Sequence, residues 1–355
     1  MKRKIFLTIV VAILLFAATP GLTLAKQGNS LIAELSREDA FHTDLMGERY
    51  NEWHYFSVTD EEQELSIITS FKLSGNIPIA EVLLGYDIGG TSNAAYYVQF
   101  TGPNTLDGTN IIINDNKVVL TEQGYEVYAN GMSSDGKQII LDAVFKPCTD
   151  PSPVLTAELS DSSMNWLVAS PKMKVTGTFT IVEANGEEIT YKLKNVRGYH
   201  DHNWGHWDWA NIGWDWGQVT QTKNSLNGND LGTYTISFGN VILGNTPSST
   251  SSVLNVWKNK KLVEEFKNDE VEIVHNINTP LPTPTTTTIS ADSEQGNVDI
   301  VFTPDYFIPI PIPFPSGTDL IIWEGYGTYE VEGNIDGKDI SFEAEGFMEY
   351  APNLP

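Results

Sequence analysis

The chain has 355 residues, with 21 lysines and arginines against 46 aspartates and glutamates, and a formal net charge of −25 at pH 7. Phosphate recognition needs clustered basic side chains, and the sequence has no basic stripe, so we expect no nucleic-acid partner. Such an acidic balance is typical of a solvated protein surface. Cys148 is the only cysteine, which excludes a disulfide within the chain, so stability must come from burial.

The N-terminal segment predicts export. Residues 2–4 are basic, residues 5–18 form an apolar run, and Thr23 and Ala25 follow a Pro-Gly break. This order is typical of a secretory signal peptide, so we expect residues 1–25 to be removed from a secreted, periplasmic or cell-surface protein. A membrane helix needs roughly 20 apolar residues, which makes this run short for a span. A retained N-terminal anchor and peripheral membrane contact stay as alternatives.

Short apolar or alternating runs dominate the rest of the sequence, and few segments show a helical period. Runs bounded by Gly, Asn, Asp and Pro at intervals of about ten residues are typical of all-β proteins. The clearest runs are residues 55–58, 65–73, 94–100, 110–113, 117–121, 125–129, 138–145, 174–184, 189–199, 214–220, 231–243, 252–257, 271–274, 297–302, 320–331 and 338–350. The mature length of about 330 residues predicts two domains, at roughly 100 to 200 residues each.

Three turn dipeptides fall between these runs, namely Asp135-Gly136, Asn185-Gly186 and Asp336-Gly337. Tight hairpins need left-handed backbone angles, which Asn, Asp and Gly tolerate best. We therefore predict that each dipeptide joins two antiparallel strands.

Two segments interrupt the strand pattern. Residues 279–288 are rich in Thr and Pro and resemble a linker, or else a long loop within the second domain. Residues 308–315 alternate Ile or Phe with Pro, and each Pro lacks the N–H donor that a central strand needs. This second segment is expected to be an extended edge or polyproline-like stretch that displays Ile308, Ile310, Ile312 and Phe314. It would cover a sheet edge or form an apolar lid over a ligand cavity.

Residues 199–216 concentrate aromatic and titratable side chains, with five of the nine tryptophans, three of the six histidines and three aspartates. If the segment begins as a strand, alternate side chains point to opposite faces. One face then carries His200, His202 and Trp204, and the other carries Tyr199, Asp201 and Asn203. Asp201 and His202 are therefore expected to face different surroundings.

Several chemistries can be weighed for this segment. Two histidines two residues apart are a familiar metal-ligand spacing, and His200, His202 and His206 would form the metal set of one alternative function. No second motif completes the three or four ligands that zinc needs, so we expect no metal. A nucleophile elbow and a phosphate-binding Gly-rich loop are both absent from the sequence.

The aspartates, histidines and tryptophans of this segment fit a different chemistry, acid catalysis among aromatic rings. An Asp or His buried among Trp rings is poorly solvated, which raises a carboxyl pKa and keeps the acid protonated near neutral pH. Trp faces stabilise a developing carbocation, by ~0.5 to 2 kcal/mol per ring. Protonation of a carbon–carbon double bond needs this combination. The structural alternative is that the tryptophans form core and the polar groups hydrogen-bond to loops.

Four segments resemble the AttH and CrtC-like proteins, a family that includes carotenoid 1,2-hydratase (hydroxyneurosporene synthase) and the lipocalin-like fungal Diels–Alderases. Residues 199–205, Tyr-His-Asp-His-Asn-Trp-Gly, are similar to the family's Asp-His-Asn-Trp-Gly signature. Residues 51–56 are similar to its early Glu-Trp-Trp-Tyr motif, from which they depart at His54. Further similar segments are 164–166 with Pro171, Met173 and Gly177, and 326–330 with Gly333 and 346–349. The resemblance spans about residues 38 to 350.

The resemblance implies two tandem lipocalin-like (calycin) β-barrels, over residues 36–207 and 208–355, with a ligand pocket at or near their junction. It also implies roles for the signature histidine and tryptophan, which map onto His202 and Trp204. Asp208, Asp215 and Tyr234 align more loosely with acidic and tyrosine residues of the hydratases. Because one fold supports many reactions, the family alone does not fix the function.

These observations predict an exported protein that encloses an apolar isoprenoid or lipid and hydrates or cyclises it by protonating a C=C bond. No cofactor is expected. Asp201, His202 and Trp204 are the expected catalytic residues. The expected ligand-binding residues are Trp53, His54, Tyr55, Trp207, Trp214, Trp216 and Tyr234. A non-catalytic lipid-binding or envelope protein of the same fold is the first alternative, and the metal-dependent enzyme is the second.

Overall fold

The computed structural model describes residues 30–75, 79–222, 231–244, 250–277, 283–312 and 320–352. Residues 30–38 form the helix α1, and short 3-10 turns lie at Thr43–Leu45, Glu61–Gln63, Trp209–Asn211 and Asn268–Glu270. Most other described residues belong to strands of two antiparallel sheets. The all-β prediction is therefore confirmed.

The first sheet has twelve strands. They are β1 Tyr50–Asp60, β2 Leu65–Ser74, β3 Ile79–Ile88, β4 Thr91–Gln99, β5 Thr105–Asp107, β6 Asn110–Ile113, β7 Asn116–Thr121, β8 Gly124–Met132, β9 Gln138–Pro147, β10 Leu155–Leu159, β11 Ser162–Val182 and β12 Glu188–His206. Their order is β4-β3-β2-β1-β12-β11-β9-β8-β7-β6-β5, and β10 pairs with β11 outside this path.

The second sheet has nine strands. They are β13 Ile212–Thr222, β14 Leu231–Leu243, β15 Ser251–Lys258, β16 Lys261–Lys267, β17 Val271–Ile277, β18 Pro284–Asp292, β19 Gly296–Ile312, β20 Leu320–Ile335 and β21 Lys338–Ala351. Their order is β16-β15-β14-β13-β21-β20-β19-β18-β17.

In both sheets the first strand pairs with the last, β1 with β12 and β13 with β21, while the other neighbours are joined mainly by hairpins. A bridge between Ala95 and Ser133 links β4 to the segment after β8, across the curl of the first sheet. Strand twist bends a sheet of this connectivity toward closure. The two sheets are curled, antiparallel half-barrels, in agreement with the expected tandem lipocalin-like barrels.

Alternation of side chains explains the two sheet interiors. Along β8, Tyr125, Val127 and Ala129 are buried, whereas Glu126 and Tyr128 between them are partly exposed. Full burial of an apolar side chain stabilises the fold by about 1.5 to 3 kcal/mol. Each sheet thereby gains an apolar core of its own.

A third apolar cluster joins the two sheets, and it contains most of the tryptophans. Trp166 of β11 packs directly against the backbone of Gly239 on β14, where a Cβ atom would lie 2.5 Å from Trp166 Cζ3. The indole therefore occupies space that only glycine leaves open. This contact brings the face of β12 that carries Asp201 against the second sheet.

The predicted turns are confirmed, and one interruption is corrected. The three Asp-Gly or Asn-Gly dipeptides join β8 to β9, β11 to β12 and β20 to β21. The linker expected at residues 279–288 is wrong over residues 284–288, which belong to β18 and pair with β17. Thr side chains with a β-branched Cβ favour this extended backbone. Residues 279–282 lie outside the described residues.

The Pro-rich segment lies on a sheet edge, as expected. Over residues 303–312, β19 pairs with β20 alone among the described strands, so its prolines need no second partner. Ile308 and Ile310 are buried, and Ile310 lines a cleft between the sheets. The side chain of Ile312 and all of Phe314 lie outside the described residues.

The predicted signal peptide also lies outside the described residues, because the description begins at residue 30. Within the described ranges, no helix combines the length and apolar character that a membrane crossing requires.

Candidate active site

Strand β12 presents two faces, as its alternation predicts. Tyr199, Asp201 and Asn203 point toward the second sheet, whereas His200 and His202 point into the first sheet's core. The expectation that Asp201 and His202 face different surroundings is confirmed. A single pocket cannot use both side chains directly.

A cleft of about 560 Å³ lies between the two sheets. Its lining residues are Trp53, Tyr55, Ser70, Lys72, Ser74, Glu81, Val82, Leu83, Tyr96, Val98, Trp209, Trp214, Ile310, Ile322 and Glu349. A smaller cavity shares Trp53, Tyr55, Trp214 and Glu349 with the cleft. The smaller cavity is also bounded by Asp201, Asn203, Trp166 and Trp216. The size and apolar lining suit an apolar small molecule.

Aromatic rings form one wall of this cleft. The ring of Trp53 lies 6.2 Å from the rings of both Trp209 and Trp214. Tyr55 meets Trp216 edge-on at 5.2 Å. Trp209 also carries the Lys72 ammonium 4.8 Å from its ring centroid, which shows that its face is open to positive charge. Such faces stabilise a cation by ~0.5 to 2 kcal/mol each.

Asp201 is held by three protein donors. Its carboxylate accepts hydrogen bonds from Trp166 Nε1 at 2.9 Å, from Tyr199 OH at 2.8 Å and from Asn203 Nδ2 at 2.9 Å. Tyr199 in turn accepts from Trp216 Nε1 at 2.8 Å. Burial raises the pKa of Asp201 to about 7, although the donors from Trp166 and Tyr199 favour the charged form. Both oxygens of Asp201 are engaged, which fixes the indoles around the cleft.

Two carboxyl groups that the sequence reasoning missed stand beside the cleft. Glu324 on β20 and Glu349 on β21 are register partners. Tyr55 OH donates to Glu324 Oε1 at 2.8 Å, and Trp214 Nε1 donates to Glu349 Oε2 at 2.7 Å. Glu324 is fully buried, and its Oε2 has no hydrogen-bond partner among the described residues unless a proton is shared with Glu349.

This pair keeps a proton at higher pH than isolated carboxyl groups do. Burial raises the pKa of Glu324 well above its usual range, and the negative charge of Glu349 raises it further. Burial also raises the pKa of Glu349, against the hydrogen bonds from Glu324 and Trp214. A buried carboxyl group and a partly buried one side by side cannot both ionise without strong repulsion. The pair therefore offers a candidate general acid next to the aromatic wall of the cleft.

The sequence carries a signal for this pair. Glu324 lies between Ile322 and Tyr326 on one strand face, and Glu349 lies between Phe347 and Ala351 in the same way. A carboxyl group within an inward-facing apolar row is rarely left without a function or a partner. Only the pairing of β20 with β21 shows that the two carboxyl groups meet.

The histidine face of β12 forms a separate polar cluster inside the first sheet. His202 Nε2 contacts Glu52 Oε1 at 2.9 Å, and His200 Nε2 contacts Asp39 Oδ2 at 2.9 Å. Burial opposes the charged form of His202, but the hydrogen bonds to Asp39 and Glu52 raise its pKa to about 9. His54 lies in the same cluster, with its ring 4.3 Å from that of His202.

Several expected site residues do not line the cleft. His54 and His202 lie in the polar cluster, and Trp204 stacks on His42 at 4.2 Å. Trp207 is buried behind Trp53, with ring centroids 5.7 Å apart. These side chains therefore lie outside the cleft lining, and Trp207 supports the aromatic wall from behind. Their roles in ligand binding or catalysis stay predictions.

The loosely aligned residues have other surroundings. Tyr234 belongs to the second sheet and does not line the cleft. The Lys258 Nζ atom lies 5.4 Å from the centroid of the Tyr234 ring. Asp208 is exposed and pairs with Arg49 at 3.4 Å. Asp215 contacts His275 at 2.8 Å and borders the smaller cavity.

The structure does not bring the expected metal set together. His200 and His202 share a face, but His206 packs against Tyr50, with ring centroids 5.5 Å apart. In the described part of the chain, the histidine and carboxylate groups that converge are Asp39 with His54 and His202, and His42 with Glu52 and His202. His200, His202 and His206 therefore do not converge as metal ligands. The groups that do converge come from distant parts of the chain, which the spacing within one segment did not reveal.

Fold and site together define a tandem lipocalin-like protein with an acidic pair beside an aromatic cleft between its sheets. Solved structures with a similar fold include the following three. A protein described as AttH from Nitrosomonas europaea is 15% identical, with a TM-score of 0.59 over 89% of this chain and 95% of its own. CghA is 12% identical, with a TM-score of 0.54 over 90% of this chain and 98% of its own.

Kievitone hydratase from Nectria haematococca is 14% identical, with a TM-score of 0.54 over 90% of this chain and 95% of its own. At these identities the likeness shows the fold, which agrees with the resemblance found in the signature segments. Comparison with protein-family models finds no match, and comparison with curated proteins finds none either. A shared fold does not fix the reaction, which depends on the side chains of the site.

Proposed function

We propose that the protein binds an apolar, unsaturated small molecule of the isoprenoid class in the cleft and hydrates or cyclises it. The observation that carries this proposal is the Glu324–Glu349 pair, two adjacent carboxyl groups beside the rings of Tyr55, Trp53 and Trp214. Their raised pKa values favour the protonated acid. The fold it shares with a protein named kievitone hydratase supports a hydratase-type role.

The chemistry begins with proton transfer from the carboxyl pair to one carbon of a C=C bond. Glu349 is the donor in this proposal because it lines both the cleft and the smaller cavity, whereas Glu324 is fully buried. The neighbouring carbon becomes a carbocation, which the faces of Trp53 and Trp214 stabilise. Both carboxyl groups carry a proton before this step, so Glu324 keeps its own proton and donates it in a hydrogen bond to the new carboxylate of Glu349.

Hydration is completed by the same carboxylate. Water adds to the carbocation, and the proton that the new oxonium group releases returns to Glu349, so acid and charge are both restored. If a second C=C bond of the ligand attacks the carbocation before water does, a ring closes and the positive charge moves to a carbon of that second bond. A neighbouring carbon then loses a proton to the Glu349 carboxylate, which leaves a neutral cyclic isomer and restores the acid. Exclusion of water by the apolar lining decides between these two outcomes.

Asp201 has a supporting role in this proposal. Its carboxylate accepts from Trp166 directly, and it holds Trp216 through Tyr199. These two indoles bound the smaller cavity. Rigid walls hold a flexible ligand with one C=C bond near the acid, which contributes through proximity and orientation.

Incubation with a panel of isoprenoids in water labelled with oxygen-18 tests the function. A hydratase incorporates one labelled oxygen per product molecule, and a cyclase gives an isomer without label. Extraction of the purified protein, followed by mass spectrometry, identifies any apolar compound that co-purifies. Tight binding without any product would contradict the catalytic proposal and favour the non-catalytic lipid-binding protein.

Export completes the proposal. The basic and apolar N-terminal segment supports secretion to the periplasm, the cell surface or the medium, where an apolar compound would be met at or near a membrane. The proposed partner is therefore an apolar small molecule, which the protein would take up from a membrane during peripheral contact.

A further inference from the structure

We infer that the core of the first sheet holds a divalent transition-metal ion, bound by Asp39, His54 and His202. These residues are separate from the cleft and are not used by the proposed reaction. Asp39 follows helix α1, His54 belongs to β1 and His202 to β12. An ion at this position would tie the N-terminal helix to the two central strands.

The three side chains converge on one point. Asp39 Oδ1 lies 3.3 Å from His202 Nδ1 and 3.8 Å from His54 Nε2. All three ligand atoms lie within 4.8 Å of one another. Ligand atoms about 2.0 to 2.1 Å from zinc at tetrahedral angles are about 3.3 Å apart. The observed separations need only a small contraction to meet that geometry.

The converging atoms lack other partners. Apart from their contacts with one another, Asp39 Oδ1, His202 Nδ1 and His54 Nε2 have no polar partner among the described residues. All three residues are fully buried, with no exposed surface. A buried polar group without a satisfied hydrogen bond destabilises the fold by about 1 to 3 kcal/mol, so three such atoms around one point call for an occupant.

Neighbouring side chains orient the proposed ligands through hydrogen bonds, as happens around known metal sites. His202 Nε2 faces Glu52 Oε1 at 2.9 Å, which leaves Nδ1 to bind the ion. Asp39 Oδ2 accepts from Tyr125 OH at 2.6 Å, which leaves Oδ1 free. A carboxylate on the far nitrogen of a ligating histidine fixes its tautomer and increases its basicity.

The ligand types select the class of ion. Two imidazoles and one carboxylate, without a thiolate, suit Zn²⁺ and the neighbouring divalent transition metals. The hard ions Ca²⁺ and Mg²⁺ prefer sets made of oxygen alone. The stacking of His54 on Phe41, at 4.2 Å, holds the imidazole in place before the ion arrives.

The test uses the purified full chain, dialysed against a chelator and titrated with ZnCl₂. We expect one equivalent of zinc by elemental analysis, and a rise in melting temperature when zinc is added back. His54→Gln and Asp39→Asn should each lower the zinc affinity at least tenfold. The matched control is His206→Gln, on the same strand as His202 but outside the cluster, which should bind as wild type does.

X-ray absorption at the zinc edge of the wild-type protein keeps the inference testable if a variant fails to fold. We expect scattering from two imidazoles and a mixed nitrogen and oxygen shell. Wild-type protein that binds less than a tenth of an equivalent would overturn the inference and leave a metal-free ion network, with His202 protonated between Asp39 and Glu52. Unchanged zinc binding by folded His54→Gln and Asp39→Asn would overturn it as well.

Discussion

Glu324 and Glu349 are register partners on β20 and β21, and each accepts a hydrogen bond from an aromatic side chain of the cleft, Tyr55 or Trp214. Loss of solvation, together with the repulsion that two neighbouring carboxylates would feel, raises the pKa of both groups and keeps a proton on the pair. This relationship joins the acid to the surface that would stabilise a carbocation, and several predictions depend on it.

Glu349→Gln should lower the turnover of an isoprenoid by about 10²- to 10⁴-fold, the usual contribution of a general acid. Binding should stay within a few-fold of wild type, because the amide keeps the size of the side chain and still accepts from Trp214. Product formation and ligand affinity measured in parallel check this. Glu343→Gln, at an exposed position of the same strand, is the control. Full turnover by Glu349→Gln would remove the residue from the mechanism.

The pH dependence of stability should reveal the raised pKa of Glu324. Its folded pKa lies above the unfolded value of about 4.3, so its stabilising contribution is complete below that pH. The contribution is lost as pH rises from the unfolded pKa through the folded pKa, because over this range the unfolded state has released the proton that the folded state still holds. Denaturant unfolding of wild type and Glu324→Gln across this range should show a difference that shrinks or reverses as pH rises. Parallel curves would mean that Glu324 is ionised in the fold.

The variants of Asp201 distinguish a supporting residue from the acid. Asp201→Asn should keep turnover within a few-fold, because the amide oxygen still accepts from Trp166 and Tyr199. Asp201→Ala leaves these buried donors without an acceptor and should destabilise the protein by about 1 to 3 kcal/mol per donor. Turnover and denaturant unfolding measure the two effects. A folded Asp201→Asn without activity would transfer the acid role to Asp201.

Gly239→Ala tests the contact between the sheets. The added Cβ would lie 2.5 Å from Trp166, so the indole must move and strain its hydrogen bond to Asp201. Overpacking of this kind destabilises a protein by about 1 to 3 kcal/mol. Trp166→Phe removes the clashing ring atoms, so the double variant should be less destabilised than the sum of the two single variants. Strict additivity in denaturant unfolding would show that the two positions do not constrain each other.

Expression in a secreting host tests the N-terminal segment. Cleavage after Ala25 predicts a mature chain that begins at Lys26, which intact-mass spectrometry detects. Full-length mass together with membrane association would instead favour the retained anchor.

The sequence determined the strand content, the three Asp-Gly or Asn-Gly hairpins and the two faces of β12, because alternation and turn preference are local properties. It also located the aromatic half of the site, since Trp53, Tyr55, Trp214 and Trp216 bound the cavities between the sheets. The five-residue signature also indicated the fold class from sequence alone, because its residues are contiguous in the chain.

Only the tertiary structure decided which side chains meet. Glu324 and Glu349 lie 25 positions apart in the sequence, and Asp39 lies 15 positions before His54 and 163 before His202, so no local spacing rule joins them. Strand pairing places the first two in register, and closure of the first sheet under α1 brings the other three to one point. The sequence thus provided the chemical groups, whereas long-range pairing decided which of them share a proton and which converge without partners.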